Sequence, residues 1–86
     1  MADYRITFAR SARKELQALS ATNVGRIFAK IEALATQPRR GKCIKLRGKN
    51  NLWRIRVGVY RVIYAIDDQQ RLVDIIAIRH RKDVYR

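Results

Sequence analysis

Residues 52–66, "LWRIRVGVYRVIYAI", set Arg54, Arg56 and Arg61 into an apolar frame of Leu, Trp, Ile, Val and Tyr. Side chains of a continuous strand alternate between faces, so a single strand would put Arg54 and Arg56 on one side and Arg61 on the other. A small core gains little from a sheet charged on both faces. Gly58 removes the difficulty. Glycine tolerates the positive φ of the first central position of a type II′ turn, so Gly58-Val59 can close a two-residue hairpin. Opposed residues of a hairpin share a face, and the implied pairs are Val57 with Tyr60, Arg56 with Arg61, Ile55 with Val62, Arg54 with Ile63 and Trp53 with Tyr64. All three arginines then converge. Trp53, Ile55, Val57, Tyr60, Val62 and Tyr64 form the other face, an apolar surface fit to cover a core.

The remaining composition is that of one globular unit spanning residues 1–86, with 48% hydrophobic and 31% charged residues and neither repeat nor Pro/Gly/Ser linker. Neither a signal-peptide pattern nor an apolar run long enough to cross a bilayer is present, so the expectation is a cytoplasmic chain with no membrane partner. One cysteine and one histidine can form neither an intramolecular disulfide framework nor a structural zinc site, and no metal or other cofactor is expected. Charge is the dominant feature: 20 Lys and Arg against 7 Asp and Glu give +13. No acidic residue occurs between Ala33 and Ile66, the window that holds Arg39, Arg40, Lys42, Lys45, Arg47, Lys49, Arg54, Arg56 and Arg61. Such a block suits a polyanion, nucleic acid first, because neutralising phosphates releases condensed counterions.

Outward from the hairpin, "YRITFA" (4–9) alternates as an opening strand. Ser11 is a candidate N-cap for a helix carrying Ala12, Leu16 and Leu19 at i, i+4 and i+7. A second helix presents Val24, Ile27, Phe28, Ile31, Leu34 and Ala35 as a core stripe and stops at Pro38. The basic connection 39–51 contains the short alternation Ile44 and Leu46 before a "GKNN" turn. After the hairpin, "DDQQR" is a polar turn, and "LVDIIAI" (72–78) is apolar on both parities and therefore central in the sheet. The order β, α, α and then three or four strands predicts an α+β fold, with the N-terminal strand and helical hairpin packed on one face of an antiparallel sheet.

"KLRG" (45–48), "WRIRVGVYRVIY" (53–64) and "HRKDVY" (80–85), in this order after a basic helical hairpin ending in Pro, resemble the RelE toxins of the RelE/ParE superfamily over nearly the whole chain. The resemblance implies the toxin of a type II toxin–antitoxin pair, an endoribonuclease that enters the ribosomal A site and cuts messenger RNA without a metal. In that chemistry the ribose 2′-OH attacks the adjacent phosphate and the 5′-oxygen leaves. A base must take the 2′-proton, cations must stabilise charge growing on the phosphoryl oxygens, and a donor must protonate the leaving group. By motif position, Arg61 and Arg81 match arginines credited with phosphate stabilisation and leaving-group protonation. Tyr85 matches a terminal tyrosine that orients or stacks on the RNA. Arg54 and Arg56 stand where the family usually has lysines, and Arg47 matches a further basic contact. Lys45, Lys49, Arg39 and Arg40 complete the expected contacts to RNA and ribosome. Implied partners are the ribosome with its 16S rRNA, messenger RNA and a cognate acidic antitoxin, with a higher-order toxin–antitoxin complex on operator DNA.

Lysine loses a proton readily among other cations, whereas arginine stays charged, so Arg54 and Arg56 are phosphate clamps rather than bases. The remaining proton acceptors are Tyr85, the ribosomal RNA and His80. If the last strand persists, His80 points to the face opposite Arg81. Two rival functions share this sequence: ParE-like poisoning of DNA gyrase without catalysis, against which Arg81 and Tyr85 count, and a plain nucleic-acid-binding module, which lacks a stacking pair on neighbouring strands or a recognition helix.

Overall fold

The computed structural model describes residues 3–39, 43–46, 48 and 51–80. The hairpin that organises the sequence is β3 (Leu52–Val57) and β4 (Tyr60–Asp67), antiparallel, with all five pairs opposed as the turn requires. Gly58 takes φ +60°, and Val59 is not among the residues with positive φ, as a type II′ turn demands. Around it run β1 (Arg5–Phe8), α1 (Arg10–Gln17), α2 (Ala21–Thr36), β2 (Ile44–Lys45) and β5 (Leu72–His80). The five strands lie in the order β1-β5-β4-β3-β2.

The sheet is mixed rather than wholly antiparallel. β1 runs parallel to β5, with Arg5 opposite Leu72 and Phe8 opposite Ile75. A parallel pair needs a long crossover, which the helical hairpin and the β2–β4 meander supply. The ladder continues one residue past β1, where the Ala9 amide donates to the Ile75 carbonyl at 2.8 Å. Ala9 is thus the last β1-side contact and also the N-cap of α1, without a side-chain cap. Ser11 lies inside the helix instead of capping it, because the strand pairing holds the chain extended only through Ala9. α2 has the cap its sequence lacks in α1: Ser20 Oγ accepts from the Asn23 amide at 3.3 Å.

Ala12 of α1 and Ile27, Ile31 and Leu34 of α2 pack onto Val57, Val62, Tyr64, Ile66, Val73, Ile75 and Ile78. Phe28 leaves this core and is 42% exposed. It adjoins Ile27 in sequence, about 100° further round a helix, so one face seats Ile27 and turns Phe28 outward. The deepest aromatic is Tyr64, whose hydroxyl donates to the Pro38 carbonyl at 2.8 Å and ties the end of the helical layer to the sheet. Burial pushes its phenol well above the usual tyrosine value, so it remains a neutral donor.

Residues 72–78 are apolar on both parities because β5 is bulged. Ile63 opposes Ala77 but Tyr64 opposes Ile75, so Ile76 has no counterpart on β4. Below the bulge Val73 and Ile75 face the helices; above it Ile78 and His80 do.

At the far end of the sheet a clamp closes the fold. The Arg39 guanidinium donates to both oxygens of Asp68, at 3.1 and 2.8 Å, while the Tyr4 hydroxyl donates to Asp68 Oδ1 at 2.6 Å. Arg39 also lies 5.3 Å from the Trp53 ring centroid. The charge-assisted bonds from Arg39 first, then that from Tyr4, hold the Asp68 carboxyl down to about 2.

Two outcomes follow for stability. Tyr64→Phe leaves the Pro38 carbonyl without its donor inside the core and should cost about 1–3 kcal/mol in denaturant unfolding. The Asp68 carboxyl should titrate near pH 2 by NMR, against about 4 for an ordinary aspartate. Because the folded value is the lower one, its contribution is complete above the ordinary value and disappears as pH falls through about 2. Arg39→Ala should return Asp68 towards the ordinary carboxylate range.

Candidate functional site

The sheet face turned away from the helices carries the arginines. Arg54 opposes Ile63 and Arg56 opposes Arg61 across β3 and β4, and Arg61 in turn opposes Arg79 across β4 and β5. Arg56, Arg61 and Arg79 therefore form one cross-strand row on three adjacent strands, with Arg54 two residues along β3 from Arg56. Like charges set directly opposite each other repel, and the pairing of the three strands keeps them side by side. Arg61, in the middle, is only 8% exposed. A guanidinium fixed in this way loses little rotamer entropy on meeting an anion, and its planar fork matches phosphate oxygens.

Arg79 is the residue the sequence alone misses. Strict alternation from Val73 and Ile75 assigns it to the helix face. The bulge at Ile76 reverses the parity of everything beyond it and turns Arg79 onto the arginine face. Bulges re-aim side chains in this manner, frequently beside functional sites. The signal available in the sequence was the break itself: an apolar run on both parities followed by "RHR". The same slip sends His80 to the helix side, opposite Tyr60, where the two rings meet edge to face with centroids 5.3 Å apart.

Of the other expected contacts, Lys45 opposes Trp53 and so projects to the helix side of the sheet, away from Arg54, Arg56 and Arg61. Arg39 is likewise on that side, its charge met by Asp68 at 2.8 Å. Neither belongs to the arginine row. Arg40, Arg47, Lys49, Arg81 and Tyr85 lie outside the described residues. Among the described residues no three His, Cys, Asp or Glu side chains gather to hold a metal ion, and no helix is long and apolar enough to cross a membrane.

A cationic row on one face of a five-stranded sheet, backed by two helices, is suited to a chain of phosphates, and the chain as a whole is similar in sequence and fold to known proteins. Toxin RelG of Mycobacterium tuberculosis is 34% identical over 89 residues, which is 96% of this chain and 97% of that protein. The RelE in the archaeal RelE-RelB complex of Pyrococcus horikoshii OT3 superposes with a TM-score of 0.82 at 28% identity, over 92% of this chain and 96% of that one. The toxin-antitoxin complex RelBE2 of Mycobacterium tuberculosis matches with a TM-score of 0.81 at 28% identity, over 92% of this chain and 99% of that one. The family model described as "ParE toxin of type II toxin-antitoxin system, parDE" matches residues 6–85. With the family model spanning nearly every element and a close relative matched end to end, this chain belongs to the RelE/ParE superfamily of type II toxin–antitoxin toxins.

Proposed function

We propose that this toxin is a ribosome-dependent messenger RNA endonuclease that cleaves in the A site by attack of the 2′-OH on the adjacent phosphate, forming the P–O2′ bond and breaking P–O5′. The observation that carries the reading is the Arg56–Arg61–Arg79 row, flanked by Arg54. A phosphorane-like transition state gathers negative charge on its equatorial oxygens, and preorganised guanidinium groups stabilise that charge more than the ground state. Arg61 and Arg79 are assigned to the scissile phosphate, Arg54 and Arg56 to neighbouring phosphates. Arg81 is assigned to leaving-group protonation and Tyr85 to orienting the RNA and relaying the 2′-proton. His80 is not given the base role, since it stacks against Tyr60 on the other side of the sheet.

The partners in this reading are the ribosome, messenger RNA and an acidic antitoxin from the same operon, the last supported by RelB-bound relatives of the same fold. Its charge would speed capture of a +13 chain, and a segment disordered alone would fold on docking. The second reading, gyrase poisoning, is favoured by the ParE description of the matching family model.

Primer extension on a translated message after pulsed expression separates the two. Cuts within A-site codons are expected; intact message with inhibited supercoiling by purified gyrase would transfer the assignment to the ParE type. Arg61→Ala and Arg79→Ala should each lower cleavage about a hundredfold or more while leaving the fold intact, as checked by circular dichroism. Tyr85→Phe should lose most of the chemical rate and His80→Gln little, and the reverse ranking would move the base to His80.

A further inference from the structure

β1 ends at Phe8, whereas β5 continues to His80, so among the described residues no strand lies beside the last residues of β5 on the β1 side. α1 occupies that flank. From it Glu15 reaches the strand with both oxygens: Oε1 accepts the Ile78 amide at 2.9 Å, and Oε2 meets Arg79 Nε at 3.2 Å. Ile78 is 4% exposed, so its amide would otherwise be buried without an acceptor, a costly state for a backbone donor. Glu15 thus serves as a substitute strand for one hydrogen bond and as the anchor of the adjacent guanidinium. The contact is made through Nε, the inner nitrogen of the Arg79 guanidinium. Glu15 also places one negative charge at the end of a row of three like charges.

We propose that Glu15 is a positioning residue of the arginine site: it fixes the orientation of Arg79 and the path of β5 immediately after the bulge, so that the Arg79 fork is presented to the phosphate. The catalytic half of this inference rests on the nuclease reading above; the positioning half is independent of it. The charge of Glu15 opposes an approaching phosphate, so its benefit lies in geometry rather than affinity. That sign distinguishes it from a binding residue.

The test uses the full chain with programmed ribosomes under single-turnover conditions, together with NMR of the free toxin. Glu15→Ala should slow cleavage about tenfold or more, as misplacement of a reacting group does, without weakening ribosome binding. Glu15→Gln keeps an acceptor for the Ile78 amide and should retain slow exchange there while loosening Arg79, with an intermediate rate. In an Arg79→Ala background, Glu15→Ala should cause no further loss. Full activity of Glu15→Ala, or an equal added loss in the Arg79→Ala background, would overturn the proposal. If Arg79→Ala itself cleaves normally, the nuclease assignment of Arg79 fails, and the Arg79 Nε–H resonance still decides the positioning. A protected signal in the parent that is lost in Glu15→Gln sustains it, and an unchanged signal refutes it. Should Glu15→Ala fail to fold, Glu15→Gln carries both measurements.

Discussion

The positive φ of Gly58 is the constraint on which the structure depends. With two residues in the turn, the register of β3 against β4 has no freedom, and a slip of one position would move every side chain to the wrong face. The apolar set from Trp53 to Tyr64 is then committed to the helices, and Arg54, Arg56 and Arg61 are committed to the opposite face. Fold and site are therefore one decision. Burial of Val57, Val62 and Tyr64 supplies the free energy that keeps Arg56 and Arg61 adjacent in spite of their repulsion.

The bulge in β5 extends that decision to a third strand. A regular β5 would set Ile78 opposite Arg61 and turn Arg79 to the helix side, opposite Tyr60. With Ile76 looped out, the central strand keeps Val73, Ile75 and Ile78 in the core and still delivers a cation to the row. Glu15 completes the arrangement from α1, at the point where β1 has ended and the strand edge would otherwise be open. Sheet register, bulge and helix packing thus converge on one guanidinium.

The opposite end of the sheet shows why the count of basic residues overstates the basic surface. Arg39 belongs to the acid-free stretch from which the sequence suggests a polyanion partner, yet its guanidinium is held by Asp68 and lies against Trp53. Lys45, from the same stretch, opposes Trp53 on the helix side. Both lie on the face of the sheet opposite the row, and Arg39 there ties the chain after α2 to the β4–β5 turn. Strand parity thus divides the basic residues of one stretch between the two faces of the sheet.

Local chemistry determined the hairpin pairs, the two helices, the opening strand and the convergence of Arg54, Arg56 and Arg61, because a two-residue turn and a period of two are properties of neighbouring residues. Phe28 and Ser11 depart from what the same kind of signal predicts, since the width of a core stripe and the start of a helix depend on what packs beside them. The parallel pairing of β1 with β5, the capture of Arg39 by Asp68 and the Glu15–Arg79 contact join residues 29 or more positions apart, and the slip at Ile76 is set by the register of β5 on β4. No local propensity encodes them. They were decided only when the helices, the crossover and the sheet competed for the same buried surface and the same hydrogen-bond donors.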